Sequence, residues 1–360
     1  MNVLWVMLVA GVLMLIEMVY MRIFALRRIQ YERFFTKREL YCGQEVEMVE
    51  IIANHKLTPV PWLRMESRMS ASLRFGAQEN LDIMEDLYHR SVFFLRSHRR
   101  IRRRHRVTCT RRGYFNMDSV TMSAGDLLGL WSQSRQLALS AELVVYPRLM
   151  DPGELPIPSR KWQGDIVVRR WILPDPYLIN GIREYRHGDT LRDVHWGATA
   201  RTGALQVKTR DYTASPRLML VINVQLTQNQ WGELNPAQRD IVEGAFSIAA
   251  TLARWATDNG VDAGLCCNGV LAGEEGREIL IEPSHGEGHL ALLMETMARV
   301  IIRRRKSLHS YIDETLIEPA VTGLDILVVS AYWSDLLEER AQALRRQGNA
   351  VVHVPVGGAS

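Results

Sequence analysis

The sequence predicts a fold of α/β plus β type: an N-terminal transmembrane helix, an antiparallel β-rich domain, then a doubly wound α/β domain. Three observations carry this. Every residue from Val3 to Ile16 is apolar or small. Between about residues 31 and 150, short strand-like segments are broken by Gly, Asn and Asp. After Arg217, apolar strands alternate regularly with amphipathic helices.

The helix comes first. Glu17 interrupts the apolar run, Met18 to Met21 continue it, and Arg22, Arg27 and Arg28 follow. A bilayer span needs about 20 mainly apolar residues, and Val3 to Phe24 supplies them if Glu17 and Arg22 lie at an interface or face a partner helix. No basic residue precedes the run and no A-x-A cleavage pattern follows it, so it is a poor signal peptide. The positive residues all follow the run. The positive-inside rule then puts the N-terminus outside and the chain after about residue 27 in the cytoplasm. The competing reading is a buried helix of a soluble domain.

The remainder divides at about residues 28–160, a β-rich sandwich-like domain, 161–215, a linker with an unusual composition, and 216–360, the α/β domain. Glu45 to Ile51 alternates polar and apolar, as a half-buried strand does. Pro59 and Pro61 mark a turn into a strand through Trp62 and Leu63. Further strands are expected at Val107–Thr110, Arg112–Phe115, Ser119–Met122 and Leu143–Tyr146. In the last third, Leu218–Ile222 is a continuous apolar run, as in a parallel strand covered on both faces. Asn235-Pro236 opens a helix striped by Ile241, Ala245, Ile248, Leu252 and Ala256. Strands are expected at Val261–Cys267, Glu278–Ile281 (an edge), Leu324–Val329 and Ala350–Val356. Helices lie between them, one striped by Leu290, Leu293, Met294, Met297 and Ile301, another capped by Ser334 and stopped by Gly348.

Composition bounds the function classes. The chain of 360 residues is 47% hydrophobic and 23% charged, ordinary for a folded protein, and its net charge of +4 names no partner. Cys42, Cys109, Cys266 and Cys267 have no zinc-ligand spacing and read as reduced thiols.

The linker carries the densest pattern: Arg183-Glu184-Tyr185, Gly188-Asp189, Arg192, His195-Trp196, Thr199-Ala200-Arg201, Gly203 and Val207-Lys208. Thr190 and Asp193 suggest a capping box, with Leu191, Val194 and Ala198 on one side of a short helix closed by Gly203. Together with Arg112-Gly113-Tyr114, Gly125 to Leu130 and Val145-Tyr146-Pro147, the run resembles the domain of unknown function 58 family. The resemblance spans roughly residues 40–330. It implies a membrane-anchored protein with a β-rich domain and a von Willebrand factor A-like domain. It also implies association with MoxR-type AAA+ ATPases, and with transglutaminase-like membrane proteins. Relatives mostly carry a membrane hairpin, whereas this chain shows one span.

A von Willebrand A-like domain can bind a divalent ion where its first strand ends, through Asp-x-Ser-x-Ser. Asn223, Gln225 and Thr227 stand at those positions. Asn carries no charge, Gln is too long and only Thr fits, so the site reads as degenerate and metal-independent. No cofactor is expected. In the linker, Asp189 with His195 offers acid–base chemistry, but no second carboxylate pair, activated nucleophile or Gly-rich phosphate loop accompanies it. A structural keystone is preferred, with Arg192 and Arg201 paired to Asp189, Asp193 or Glu184 and Trp196 packing the domain junction. A basic run includes Arg99, Arg100, Arg102, Arg103 and Arg104. It suits anionic lipid headgroups or a solvated strand face, ahead of nucleic acid. These readings converge on a non-enzymatic adaptor or scaffold in the cytoplasmic membrane, working with a MoxR-type AAA+ ATPase. The alternatives are a divalent-metal-dependent protein-binding module and a hydrolase centred on Asp189 and His195.

Overall fold

The computed structural model describes residues 3–76, 81–84, 88–126, 129–151, 154–155, 179–185, 194–210, 217–230 and 234–357. It divides into two compact units, Met1–Arg148 and Leu149–Ser360.

The first unit opens with helix α1, Val3–Phe24. Its stretch Trp5–Phe24 has a mean hydropathy of 2.0, long and apolar enough to cross a membrane. Residues 5–16 are all exposed, whereas Met21, Ala25 and Leu26 at its C-terminal end are buried. Among the described residues ten strands follow: β1 Ile29–Phe35, β2 Glu39–Tyr41, β3 Glu45–Asn54, β4 Val60–Arg68, β5 Leu73–Phe75, β6 Leu81–Met84, β7 Tyr88–Leu95, β8 Arg100–Cys109, β9 Gly113–Gly125 and β10 Ser132–Tyr146. They form two sheets, ordered β1-β3-β8-β5 and β2-β10-β9-β4-β7-β6, antiparallel except for the β2–β10 pair.

Two apolar clusters join the sheets. One gathers Met21 of α1, and Ala25 and Leu26 just after it, with Ile52, Leu63, Phe93 and Met122. The other gathers Phe35, Met48, Val107, Met117 and Leu143. Because inward side chains of both sheets enter each cluster, the sheets pack face to face as a sandwich. The expected β-rich region is therefore present, with strands longer than the sequence segments that announced them.

Among the described residues of the second unit, an antiparallel pair comes first, β11 Ile179–Glu184 with β12 Gln206–Arg210, and the short helix α2 Trp196–Thr202 precedes β12. Then come β13 Arg217–Ile222, α3 Pro236–Asp258, β14 Asp262–Cys267, β15 Val270–Leu271, β16 Ile279–Ser284, α4 Glu287–Arg299 and β17 Val300–Ile301. Helix α5 Leu308–Ile312 runs into a π-helical turn over Asp313–Ile317, and β18 Asp325–Ser330, α6 Asp335–Arg346 and β19 Ala350–Pro355 close the chain. The five-stranded sheet is ordered β16-β14-β13-β18-β19. All its pairs are parallel except β14–β16, so β16 is an antiparallel edge. On one face Met219, Val221, Ile326 and Val328 pack with Tyr311, Leu316, Leu337 and Leu344. Helix α3 covers β13, β14 and β18 and packs against α4. Asn235 and Gln238 close a full capping box at the start of α3.

Several expectations need correction. In α3 the stripe is led by Val242, and Ile241 is 38% exposed. Ile301 lies beyond α4, in β17, and is exposed, because the helix ends at Arg299. Val194 bridges to Val207 rather than entering a helix, since α2 starts only at Trp196. Ser334 stands at the N-cap of α6 without a side-chain cap hydrogen bond.

Candidate functional site

In the sheet of the second unit, the first strand β13 has β14 on one side and β18 on the other. Open α/β sheets bind ligands outside the carboxyl ends of strands at such a switch point. Each of the three strands runs into a polar residue there: Ile222-Asn223, Cys267-Asn268 and Val329-Ser330. Asn223, Gln225, Asn268 and Ser330 are all buried, so their polar atoms must find partners inside the protein.

They find one another. The Asn223 Nδ2 donates to Ser330 Oγ at 2.9 Å, and Ser330 Oγ donates to the Tyr332 carbonyl at 2.7 Å. The Asn223 Oδ1 accepts from Asn268 Nδ2 and from the Gln225 amide, each at 3.1 Å. The Gln225 Oε1 accepts from Asn268 Nδ2 at 3.1 Å and from the Leu308 amide at 3.0 Å. The Asn268 Oδ1 accepts from the Val224 amide at 2.9 Å. Thr227 is exposed, and its carbonyl accepts from Gln225 Nε2 at 3.4 Å. The floor of the switch point is thus a neutral, closed amide network. Sites for hard dications include carboxylates among their oxygen ligands, whereas these side-chain oxygens are all uncharged and already engaged in hydrogen bonds. Asn268, at the hub, was not anticipated, although the repeated change from apolar strand to Asn or Ser was visible in the sequence. Arg304 reaches over this end to the Gln228 carbonyl at 3.4 Å. Burial raises the Tyr332 phenol, against a hydrogen bond with Asn223 and the Arg304 charge.

The signature residues are distributed differently. His195 caps α2: its Nδ1 accepts from the Ala198 amide at 3.0 Å. Its own amide donates to the Gln206 carbonyl at 2.7 Å. Thr199 Oγ1 accepts from the Gln206 amide at 3.0 Å, tying α2 to β12. Gly203 ends the helix in the left-handed region, φ 71°, and donates to the Thr199 carbonyl. Tyr185 is half-buried and its amide donates to Leu205; Glu184 and Arg201 are exposed. Trp196, expected to pack a domain junction, is 65% exposed, because α2 is a short surface helix that buries no residue. Arg183 and Lys208 lie opposite their neighbours in β11 and β12. Gly188, Asp189 and Arg192 lie outside the described residues, as do Thr190 and Asp193.

The first unit holds a cluster that the sequence did not announce. Between its two apolar clusters lies a buried polar layer of Arg33, Glu50, Ser67, His89, Ser91 and His105. Glu50 Oε1 accepts from Arg33 Nη2 at 2.6 Å and from Tyr31 OH at 2.7 Å. Its Oε2 meets His105 Nε2 at 2.9 Å and accepts from Ser91 Oγ at 3.3 Å. Arg33 Nη1 donates across to Ser67 Oγ at 2.6 Å, so the layer links the sheets. Burial pushes the Glu50 carboxyl upward, but the His105 hydrogen bond and the Arg33 charge outweigh it and hold the group well below the usual carboxylate range. Burial lowers His89 to about 3, with Arg33 and His105 adding to the effect against Glu50, so His89 is neutral. Ligand atoms of Glu50, His89 and His105 lie within 4.8 Å of one another, close enough to share an ion. Their chemistry argues otherwise. Glu50 is already charge-balanced by Arg33, and a dication would sit beside a buried guanidinium.

The basic run forms β8, and strand alternation sorts it. Arg100, Arg102, Arg104 and Arg106 are exposed on one face, and Arg99 is exposed just before the strand. His105 points the other way, into the polar layer. Arg103 departs from the expected lipid-facing set: its guanidinium lies 3.9 Å from the Phe93 ring centroid and donates to the Val92 carbonyl at 3.0 Å.

No curated protein matches the chain significantly. Among solved structures, the CARDB domain of the PF1109 protein from Pyrococcus furiosus is 9% identical, with 32% of this chain and 93% of that one covered at a TM-score of 0.22. A non-cellulosomal cohesin from Archaeoglobus fulgidus is 10% identical, with 32% and 91% covered and a TM-score of 0.22. Likenesses of this extent bear on neither fold nor function here. Residues 181–356, which contain the signature run, α2 and the switch point, match the family model described as protein of unknown function DUF58, and the match supports the DUF58 family for that part of the chain.

Proposed function

We propose that the protein is a membrane-anchored, non-enzymatic adaptor or scaffold whose second unit docks a protein partner without a metal ion. The observation that carries this reading is the closed amide network of Asn223, Gln225, Asn268 and Ser330. It makes the switch point rigid and neutral, suited to holding surrounding loops in one shape and poorly suited to dehydrating an ion or activating a nucleophile. The order β16-β14-β13-β18-β19 with an antiparallel edge supports a von Willebrand factor A-like domain. Helix α1 supports anchorage in a cytoplasmic membrane, with both units on the cytoplasmic side by the positive-inside rule.

The partner follows from the DUF58 resemblance: a MoxR-type AAA+ ATPase, with a transglutaminase-like membrane protein as a second member of the assembly. Co-purification from native membranes with and without ATP, followed by mass spectrometry, tests it. Recovery of an AAA+ ATPase that depends on nucleotide is expected. Its absence in every nucleotide state overturns the partner assignment. The metal-independent character is read separately by calorimetry with magnesium and manganese, where binding heat that disappears on Asn223→Ala would contradict it.

A further inference from the structure

Four segments of the first unit meet at one end of the sandwich. They are the exit of α1 through Arg28, the turn 55–59 between β3 and β4, the turn 96–99 between β7 and β8, and, between β9 and β10, Asp126 with residues 129–131. The register fixes this: Ile29 pairs with Asn54, Ala53 with Arg100, Val60 with Leu95, and Ser132 with Gly125. Gly125's strand neighbours lie beside Leu63 of β4. The α1 exit and the two turns are stitched together. Lys56 Nζ donates to the Phe24 and Ala25 carbonyls at 2.8 and 2.6 Å, capping the C-terminal end of α1. The His98 amide donates to Lys56, and the His55 amide to Arg28. Arg28 and His98 are two of three described non-glycine residues held in the left-handed region, a conformation that persists only where surrounding contacts enforce it.

This end differs from the rest of the surface in two ways. Outside α1, the two most exposed large hydrophobic side chains among the described residues are here: Leu57 at 82% and Leu130 at 76%. The same loops carry Arg27, Arg28, His55, Arg96, His98, Arg99 and Arg100, all exposed. Their one carboxylate, Asp126, is buried and accepts from the Leu130 and Trp131 amides. Depth is set by a contact: Tyr20 OH and Thr58 Oγ1 are 2.8 Å apart. Tyr20 belongs to the apolar stretch Trp5–Phe24, so the 55–59 turn stands level with the last turn of the span, where a bilayer turns from acyl chain to headgroup.

From this geometry we infer that the helix-bearing end of the sandwich is a lipid-docking face: Leu57 and Leu130 enter the headgroup boundary while Arg96, Arg99 and Arg100 bind anionic phospholipid. The inference rests on the proposed anchorage of α1 and adds that the sandwich is seated on the bilayer rather than tethered above it. Exposed apolar tips flanked by cations are the side-chain set that such an interface rewards, with the apolar group leaving water and the cation meeting phosphate. A solvated strand face explains the arginines but not the two exposed leucines beside them.

The test uses the full chain in lipid nanodiscs of phosphatidylcholine, with and without phosphatidylglycerol. Environment-sensitive fluorophores are placed singly through Leu57→Cys, Leu130→Cys, Val12→Cys in the span and Glu45→Cys at the opposite end, each in a Cys42→Ser background. Quenching by headgroup-level spin-labelled lipid is the readout at 57, 130 and 45, and quenching by acyl-chain spin-labelled lipid is the readout at 12. Labels at 57 and 130 are expected to be quenched, more with phosphatidylglycerol, and the label at 45 is not. Replacing Arg96, Arg99 and Arg100 together by alanine removes about 1 kcal/mol per arginine and lowers the docked-to-undocked ratio on anionic discs on the order of a hundredfold. Salt near 1 M, which shortens screening to about 3 Å, weakens docking in the same direction. Quenching at 12 without quenching at 57 and 130 overturns the docking face and leaves the anchor standing. No quenching at 12 overturns the anchor, and the docking face with it.

Discussion

Replacing Glu50 by glutamine probes the polar layer most directly. The carboxylate accepts from four side chains: Tyr31 and Arg33 at Oε1, His105 and Ser91 at Oε2. A glutamine amide keeps the shape but turns one acceptor into a donor. Facing Arg33 its NH2 group opposes a group that can only donate, and facing His105 and Ser91 it requires both to turn and accept; either way the Arg33 guanidinium, wholly buried beside it, loses its counter-charge. Breaking one side of a buried ion pair costs about 3–5 kcal/mol. A domain of this size is stabilised by about 5–15 kcal/mol in total, so Glu50→Gln should leave the first unit marginal.

The assay is urea unfolding of the full chain in mild detergent, with hydrogen exchange followed in peptides from β3 and β8 so that the first unit is read by itself. Adding Arg33→Met to Glu50→Gln should recover most of the loss, because removing both charges is close to neutral. A Glu50→Gln loss below about 1 kcal/mol would refute the argument, as would a double variant no better than the single.

Acid sensitivity follows from the same layer. The folded pKa of His89 is depressed to about 3, against about 6.5 in the unfolded chain. The unfolded state therefore binds an extra proton between those values. Stability from neutral His89 is fully present above about pH 6.5 and is lost as pH falls toward 3, at up to about 1.4 kcal/mol per pH unit. The Glu50 carboxyl is depressed too, so its contribution is present above its unfolded value of about 4.3 and is lost below it, steepening the fall. His89→Gln should abolish the slope between pH 6.5 and 5 in urea titrations, and an unchanged slope would remove His89 from the account. Asn268→Ala should cost roughly 1–3 kcal/mol, because it takes away the buried Val224 amide's acceptor and one of the two donors to each of Asn223 Oδ1 and Gln225 Oε1, and magnesium should not restore the thermal midpoint. Lys56→Met should cost roughly 1.5–3 kcal/mol by uncapping the end of α1, seen as faster exchange at residues 24–28. Gly264→Ala should loosen the β14–β16 edge, since a Cβ there would lie 2.6 Å from the Ile281 carbonyl oxygen and 2.8 Å from the Pro283 nitrogen; unchanged exchange across β16 would count against the close approach.

The α/β unit was the more legible half. Apart from Asp262, Gly264 and Asp325, its strands Leu218–Ile222, Val261–Cys267 and Leu324–Val329 are apolar, because a parallel sheet covered on both faces needs little polar side. Its helices declare their ends through Asn235-Pro236 and Gly348, which act locally and are visible one residue at a time. Where the reading slipped, tertiary geometry decided. Ile241 follows the helical period but falls outside the face that α3 presents to the sheet, and Trp196 is exposed because α2 is too short to bury a stripe.

The polar layer was illegible for a reason worth stating physically. In Glu45-Val-Glu-Met-Val-Glu-Ile the polar residues at 45 and 47 point outward, but the run Met48-Val49-Glu50 slips the alternation by one. Strand geometry has a strict period of two, so Glu50 takes an inward position between Met48 and Ile52, both buried. A polar residue on the inward phase must be paired, and its partners come from β1, β7 and β8: Arg33, Ser91 and His105. None is near it in sequence, and His105 hides inside a basic run that otherwise reads as solvent-facing. The slip itself was visible, whereas the partners needed the sheet register. The same period that conceals His105 sorts Arg100, Arg102, Arg104 and Arg106 to the opposite face, so one strand serves the interior of the sandwich with one phase and its charged exterior with the other.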